Sequence, residues 1–395
     1  MAFFRNDTVN WLNLHYGIHA LALTGGGAFY GAYLLRAGVP PPVVMASLAL
    51  IIGGRFAVRP AVLPLARRFG LKPLVIAGTL ITSLQYPLLA EVRGVDWRLI
   101  ALCGVSAVGD ALYWTCYHAF FASLGDAEHR GHQVGAREAI AAVAGIAGPL
   151  AGGWTLATLG PHAAFWTTGV ILIASALPLF AARNVPVIPV APGAIRAAIP
   201  GILMFAADGM IASGILLVWP LALFLSLGQS FTAFGGAMAL AALAGAVAGM
   251  VLGRFIDAGH GVRAVWLATG SLVLITLLRA MSYGNPAAAV VANAAGAFFP
   301  ALYTPTLMTA VYNQAKVSPC ALRFHLATEG GWDAGGAVGC LSAAAMLQAG
   351  APMSWAILIS LVGVAGAAML LGRYYGTQAA PPGVAALAHE ESRSV

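Results

Sequence analysis

The chain breaks at Asn184-Val-Pro-Val-Ile-Pro-Val-Ala-Pro-Gly193, and that break decides how the rest is read. Proline lacks a backbone donor and its ring clashes with a helix interior, so no helix runs through this segment. Before it lie apolar runs at 11–36, 42–65, 73–89, 99–124, 134–159 and 162–182. After it lie runs at 197–227, 231–255, 264–283, 286–312, 322–348 and 354–371. A bilayer-spanning helix needs about 20 apolar residues. The pattern predicts an all-α polytopic membrane protein, with about twelve transmembrane helices in two pseudo-symmetric six-helix bundles. The expected boundaries are 1–183 for the first bundle, 184–196 for a cytoplasmic linker and 197–375 for the second bundle. The polar segment 376–395 reads as a disordered cytoplasmic tail.

Composition agrees. Of 395 residues, 60% are hydrophobic and 8% charged, and the mean hydropathy is +0.85. A soluble domain carries about 25% charged residues, so a water-facing surface cannot be built here. The net charge of +7 and pI near 9.5 do not point to nucleic acid, because the basic residues sit in short segments between apolar runs. Arg67, Arg68, Lys72, Arg130, Arg183, Arg196, Arg254, Arg263, Lys316, Arg323 and Arg373 fall on one side, with Arg5 and Arg393. Arg36, Arg93 and Arg98 fall on the other, with Arg279 near it. Basic loops stay cytoplasmic, so both termini are expected in the cytoplasm and the protein in the cell's inner (plasma) membrane. The first run follows Arg5-Asn6-Asp7 and is too long for the apolar core of a cleaved signal peptide. Cys103, Cys116, Cys320 and Cys340 form no CxxC and read as small core residues.

The two halves repeat weakly. Gly148 follows Glu138 by ten residues in the fifth run, and Gly339 follows Glu329 by ten in the eleventh. Parallel six-helix repeats are a transporter architecture. Two motifs then carry a resemblance. The loop after the second run reads Leu63-Pro-Leu-Ala-Arg67-Arg68-Phe69-Gly70-Leu71-Lys72, and its counterpart reads Gly253-Arg254-Phe255-Ile256-Asp257-Ala258-Gly259-His260. The fifth run holds Gly135, then Ala144, then Gly148-Pro149-Leu150-Ala151-Gly152-Gly153. In these features the chain resembles the major facilitator superfamily, and in the fifth run its drug/proton antiporters. Against that pattern Leu63 and Arg67 replace a Gly and an Asp, which removes the acid of an inter-domain charge latch. Ala144 replaces one Gly of the signature. Glycine there lets helices approach and proline bends them. The resemblance implies two bundles that rock about a central site, and efflux coupled to protons.

Ionisable groups inside apolar runs are the sharper signal. Each costs roughly 2.5 kcal/mol or more at the bilayer centre, so it faces a cavity or a partner. Asp110 and Asp208 lie within the fourth and seventh runs. Either is a proton or substrate site; Asp110 is alternatively an ion-pair partner of Arg55 or Arg59, and Asp208 a cap on a break at Gly209. Arg55 and Arg59 share a helix face and suit an anion or a carboxylate, with Glu138 as another candidate partner. His325, Glu329 and Asp333 step by four along the eleventh run, as a proton path or as a salt network with Arg67, Arg68 or Arg137. His15 and His19 in the first run also share a face and suit a cavity wall, a proton relay, packing or, though no acid sits beside them, a metal ion. Tyr113, Trp114 and Tyr117, with Trp219, Phe298, Phe299, Tyr303 and Trp332, are candidate pocket or packing aromatics.

No Walker loop, HExxH or GxSxG is present, so neither ATP hydrolysis nor another enzymatic activity is expected. The sequence predicts a secondary transporter that needs no cofactor or bound metal and acts as a monomer in the bilayer. Its partners are protons and a small organic solute, and no nucleic acid. An importer of an organic anion or metal ion is the rival transport reading, and a membrane assembly or sensor protein the non-transport one.

Overall fold

The computed structural model describes residues 6–124, 130–187, 191–256 and 261–379. The N-terminal half holds α1 (Asp7–Arg36), α2 (Pro41–Phe69), α3 (Leu71–Glu91), α4 (Trp97–Leu124), α5 (Arg130–Thr158) and α6 (Gly160–Ala181). The C-terminal half holds α7 (Ile199–Ser226), α8 (Phe231–Ile256), α9 (Gly261–Ser282), α10 (286–317), α11 (Ala321–Gln348) and α12 (Met353–Thr377). The twelve expected helices are therefore present, six in each half. Ten helices among the described residues are long and apolar enough to cross a membrane. The other two depart for visible reasons. α10 is divided into Pro286–Gly296 and Phe299–Val317 ahead of Pro300, and α11 carries Arg323, Glu329 and Asp333.

Local chemistry sets the ends. The Asn6 side chain accepts from Val9 N–H and caps α1. Prolines at the starts of α2 and α10 stand where a helix has no use for the missing donor. Gly70 turns α2 into α3 at φ +82°, a conformation that costs other residues a Cβ clash. Between the halves, the first linker residues are clasped onto that turn. Leu71 N–H donates to Val185 O at 3.0 Å and Asn184 Nδ2 to Phe69 O at 2.8 Å. Lys72 Nζ donates to Phe180 O and Ala182 O. A short helix, Ala194–Ala197, then leads into α7. α12 continues helically to Ala379, and 380–395 of the expected tail lie outside the described residues.

Apolar packing defines two unlike ends. Toward the end that holds the α1–α2 and α7–α8 turns, one core spans both halves: Phe29, Leu34 and Val44 lie with Leu221, Phe224 and Phe234. Toward the other end it divides. Val9, Leu74, Tyr117 and Phe120 form a core in the N-terminal half, and Phe205, Leu272, Tyr303 and Phe324 one in the C-terminal half. Contacts between halves run through α2 on α11, α5 on α8, and the touching ends of α1 and α7. Outside, Leu50, Leu84, Trp166, Leu203, Trp266 and Val362 are exposed, as an acyl-chain-facing surface requires.

Candidate functional site

Where the shared core divides, a cavity of about 370 Å³ opens between the halves. α2 and α4 supply Arg55, Trp114 and His118. α7 supplies Phe205 and Asp208, α10 supplies Tyr303, Thr304, Leu307 and Met308, and α11 supplies Glu329 and Trp332. The wall mixes four aromatic rings with two acids and one arginine. Around Asp208 stand the Tyr303 hydroxyl and the Trp332 indole N–H. The Tyr303 hydroxyl is buried and faces the Asp208 carboxylate as a donor.

One side of the cavity is bounded by a clamp between the halves. Asp333 of α11 is fully buried. Arg59 of α2 donates to its Oδ2 through Nε at 2.9 Å and through Nη2, and Arg55 Nη2 lies 2.9 Å from Oδ1. Arg59 Nη1 donates to Thr115 Oγ1 at 2.8 Å, so one guanidinium ties α2 to both α4 and α11. Glu329 sits 4.0 Å from Arg59, at the limit of pairing. Arg55 also lies over the Trp332 ring, 5.3 Å from its centroid. Glycines seat α11 on its own half, since a Cβ at Gly331 or Gly335 would strike the α7 backbone at Ile202 or Ala206, and on the α2 side Gly330 lies beside Phe56 and Arg59.

Residues 12–200 match the model of the Major Facilitator Superfamily. Over nearly its whole length the chain is similar to solved structures of transporters. It aligns with the POT family transporter PepTSo at TM-score 0.69 and 12% identity, covering 94% of this chain and 99% of that one. An auto-inhibited POT family peptide transporter aligns at 0.63 and 13%, covering 95% and 97%. The nucleoside transporter NupG aligns at 0.65 and 12%, covering 95% and 100%. The chain has the major facilitator superfamily fold. No curated protein matches it in sequence.

Within this superfamily fold the sequence-predicted residues separate into distinct groups. Trp114, Asp208, Glu329 and Arg55 line the cavity. Asp333 and Arg59 form the clamp behind it. The arginines therefore take their carboxylate from α11, whereas Asp110, expected as their partner, only lies within electrostatic reach of Arg55 and Asp333. The expected stripe on α11 has three different fates: Asp333 is clamped, Glu329 faces the cavity, and His325 packs edge-on against Tyr312. Arg137 does not join the α11 acids as the salt-network reading expected. It pairs with its neighbour Glu138 and lies over Tyr16 and Phe121.

His15, His19, Tyr113 and Tyr117 do not line the cavity. They are buried in the N-terminal half, each at 1% exposure or less. His15 Nδ1 donates to Ser175 O at 2.7 Å, which fixes the tautomer and leaves Nε2 to accept from the Tyr113 hydroxyl at 3.0 Å. His19 stacks on Tyr113 with centroids 4.1 Å apart. The histidines reach the lining from behind, His19 edge-on to Trp114 at 6.0 Å and His15 by way of Tyr117, which stands edge-on to His118.

The fifth-helix signature does double service. A Cβ on Gly148 would meet Gly25 N of α1 at 2.9 Å, and one on Gly152 would meet Phe29 at 2.9 Å. One on Gly153 would meet the Phe231 carbonyl of α8 at 2.6 Å. On the same face Gly235 of α8 packs on the Pro149 backbone. The motif thus seats α5 on its own half and on the other one. Gly135 lies in α5 and Gly253 in α8, while Asp257 lies outside the described residues. Where the superfamily loop carries an acid, the clasp of Asn184 and Lys72 holds the turn instead.

His118 is the lining residue that the sequence reading missed. It follows Asp110 and Trp114 at spacing four on α4, and it stacks on Trp114 with centroids 5.6 Å apart. That spacing was the available signal. Among the described residues no three His, Cys, Asp or Glu side chains converge on a metal position.

Proposed function

We propose that this chain is a secondary active transporter that exports a small organic solute in exchange for protons. One observation carries the reading: an acid-bearing cavity built from both halves sits where their shared core divides in two. A pair of bundles closed at one end and parted at the other is one state of a rocking cycle. The arginine asymmetry supports a cytoplasmic position for the parted end, and the solute enters from that side. After rocking, the cavity faces outward, and a proton taken up by Asp208 or Glu329 replaces the solute.

The clamp belongs to the same cycle. Asp333 with Arg55 and Arg59 must remain paired while buried, because a lone charge at this depth costs several kcal/mol. Its carboxylate therefore stays matched unless it is protonated, which would release α2 from α11. The fifth-helix signature supports the outward direction, and the peptide and nucleoside transporters of similar fold support transport as such.

Everted membrane vesicles test the reading. Solute should accumulate when the lumen is acidified and stop accumulating when the pH gradient is collapsed. Accumulation only in right-side-out vesicles under an inward proton gradient would show uptake, and reject export.

A further inference from the structure

The charges around the cavity do not balance, and the imbalance identifies a ligand class. Two guanidiniums, Arg55 and Arg59, face four carboxylates, Asp110, Asp208, Glu329 and Asp333. Both guanidiniums hold Asp333, and Arg59 also reaches Glu329 at 4.0 Å. Arg137, within reach of His118, is spent on Glu138. The remaining titratable neighbours are His118 on α4, Tyr303 on α10 and His325 on α11. Among the described residues no guanidinium lies against Asp208, and the group as a whole keeps more carboxylates than guanidiniums. A surplus of negative charge at low dielectric must be balanced by bound protons or by a bound cation.

The wall favours the second on filling. Trp114, Phe205, Tyr303 and Trp332 present aromatic surface beside the two lining acids. A guanidinium already rests on one of these rings, since Arg55 stands 5.3 Å from the Trp332 centroid. Cations within about 6 Å of such a face are held by the ring quadrupole. An anion, by contrast, would meet two carboxylates, and the one arginine in the wall is taken. A volume of about 370 Å³ suits a molecule of one or two rings.

We propose that the solute is an organic cation with a flat or aromatic body, its positive group seated between Asp208 and Glu329 and its apolar part against the rings. This rests on the transporter reading and narrows it, excluding the organic-anion alternative. Binding exchanges charge for charge: a carboxyl proton leaves to solvent as the cation's positive group takes its place beside the carboxylate.

Three near-isosteres test it on the purified full-length protein by equilibrium binding: benzyltrimethylammonium, neopentylbenzene and phenylmethanesulfonate. The ammonium should bind at least tenfold more tightly than either other compound and release protons into weakly buffered solution. Asp208→Asn should weaken it at least tenfold, and Asp208→Glu should restore most of the loss. Preferential binding of the sulfonate, or equal binding of the neutral compound, overturns the cation assignment while leaving a solute site in place. Ammonium binding that Asp208→Asn and Glu329→Gln both leave unchanged, in variants with wild-type melting temperature, also overturns it. Failure of all three compounds to bind, together with no uptake of any of them into vesicles, counts against the cation assignment and the transporter reading alike.

Discussion

The first helices of the two halves stand in equivalent positions and carry polar groups at similar depth, yet they use them differently. On α1, His15 and His19 turn into their own half, where a carbonyl and two tyrosines satisfy or cover them. On α7, Asp208 turns into the space between halves, with the Tyr303 hydroxyl and the Trp332 indole beside it. Depth in the membrane is the same signal in both. What separates a structural polar group from one available for chemistry is whether it faces the core of its own bundle or the cavity between the two.

Four substitutions break or sharpen that contrast. The largest effect is expected at the clamp, where partners come from both halves. Asp333→Ala leaves two buried guanidiniums uncompensated and should cost about 3–5 kcal/mol, read as a fall in melting temperature in detergent. Asp208→Asn comes next and acts on function alone. Transport should fall by about tenfold or more, the worth of a charged hydrogen bond, with melting temperature unchanged. Gly153→Leu wedges α5 off the Phe231 carbonyl of α8 at a cost of about 1–3 kcal/mol, borne by the closed end. Spin labels at Val95 and Trp355, exposed near that end, should move apart. Smallest of all should be His15→Phe. It removes bonds to Ser175 and Tyr113 and costs about 1–2 kcal/mol of stability, while transport and its pH profile stay as in the wild type. A pH profile altered by His15→Phe would erase the distinction between the two helices.

How far the sequence could be read follows the same line. Helix number, the division at 184–193 and the outward apolar surface are written in composition and run length, which need no knowledge of neighbours. Asp208, Glu329 and Trp114 were legible because a polar or amphipathic group at that depth must be accounted for. The identity of the clamp was not. Asp110 is the acid that lies deep in an apolar run of their own half, whereas the one they hold is 274 positions from Arg59. Spacing of four marks a shared face but leaves open which way the face points, so His15 and His19 read like a cavity wall and His118 went unnoticed. The glycines of α5 could be seen as a packing motif, but that Gly153 touches the other half depends on where α8 lies.

The clasp at the start of the linker shortens the leash between the bundles. Because Asn184 and Val185 are pinned to the turn at 69–72, the stretch that could be drawn out runs at most from Pro186 to Ala194, where helix begins. A chain of that length reaches roughly 28 Å when fully drawn out, at about 3.5 Å per residue. The excursion open to the rocking bundles on this side is bounded by that reach, whatever the solute.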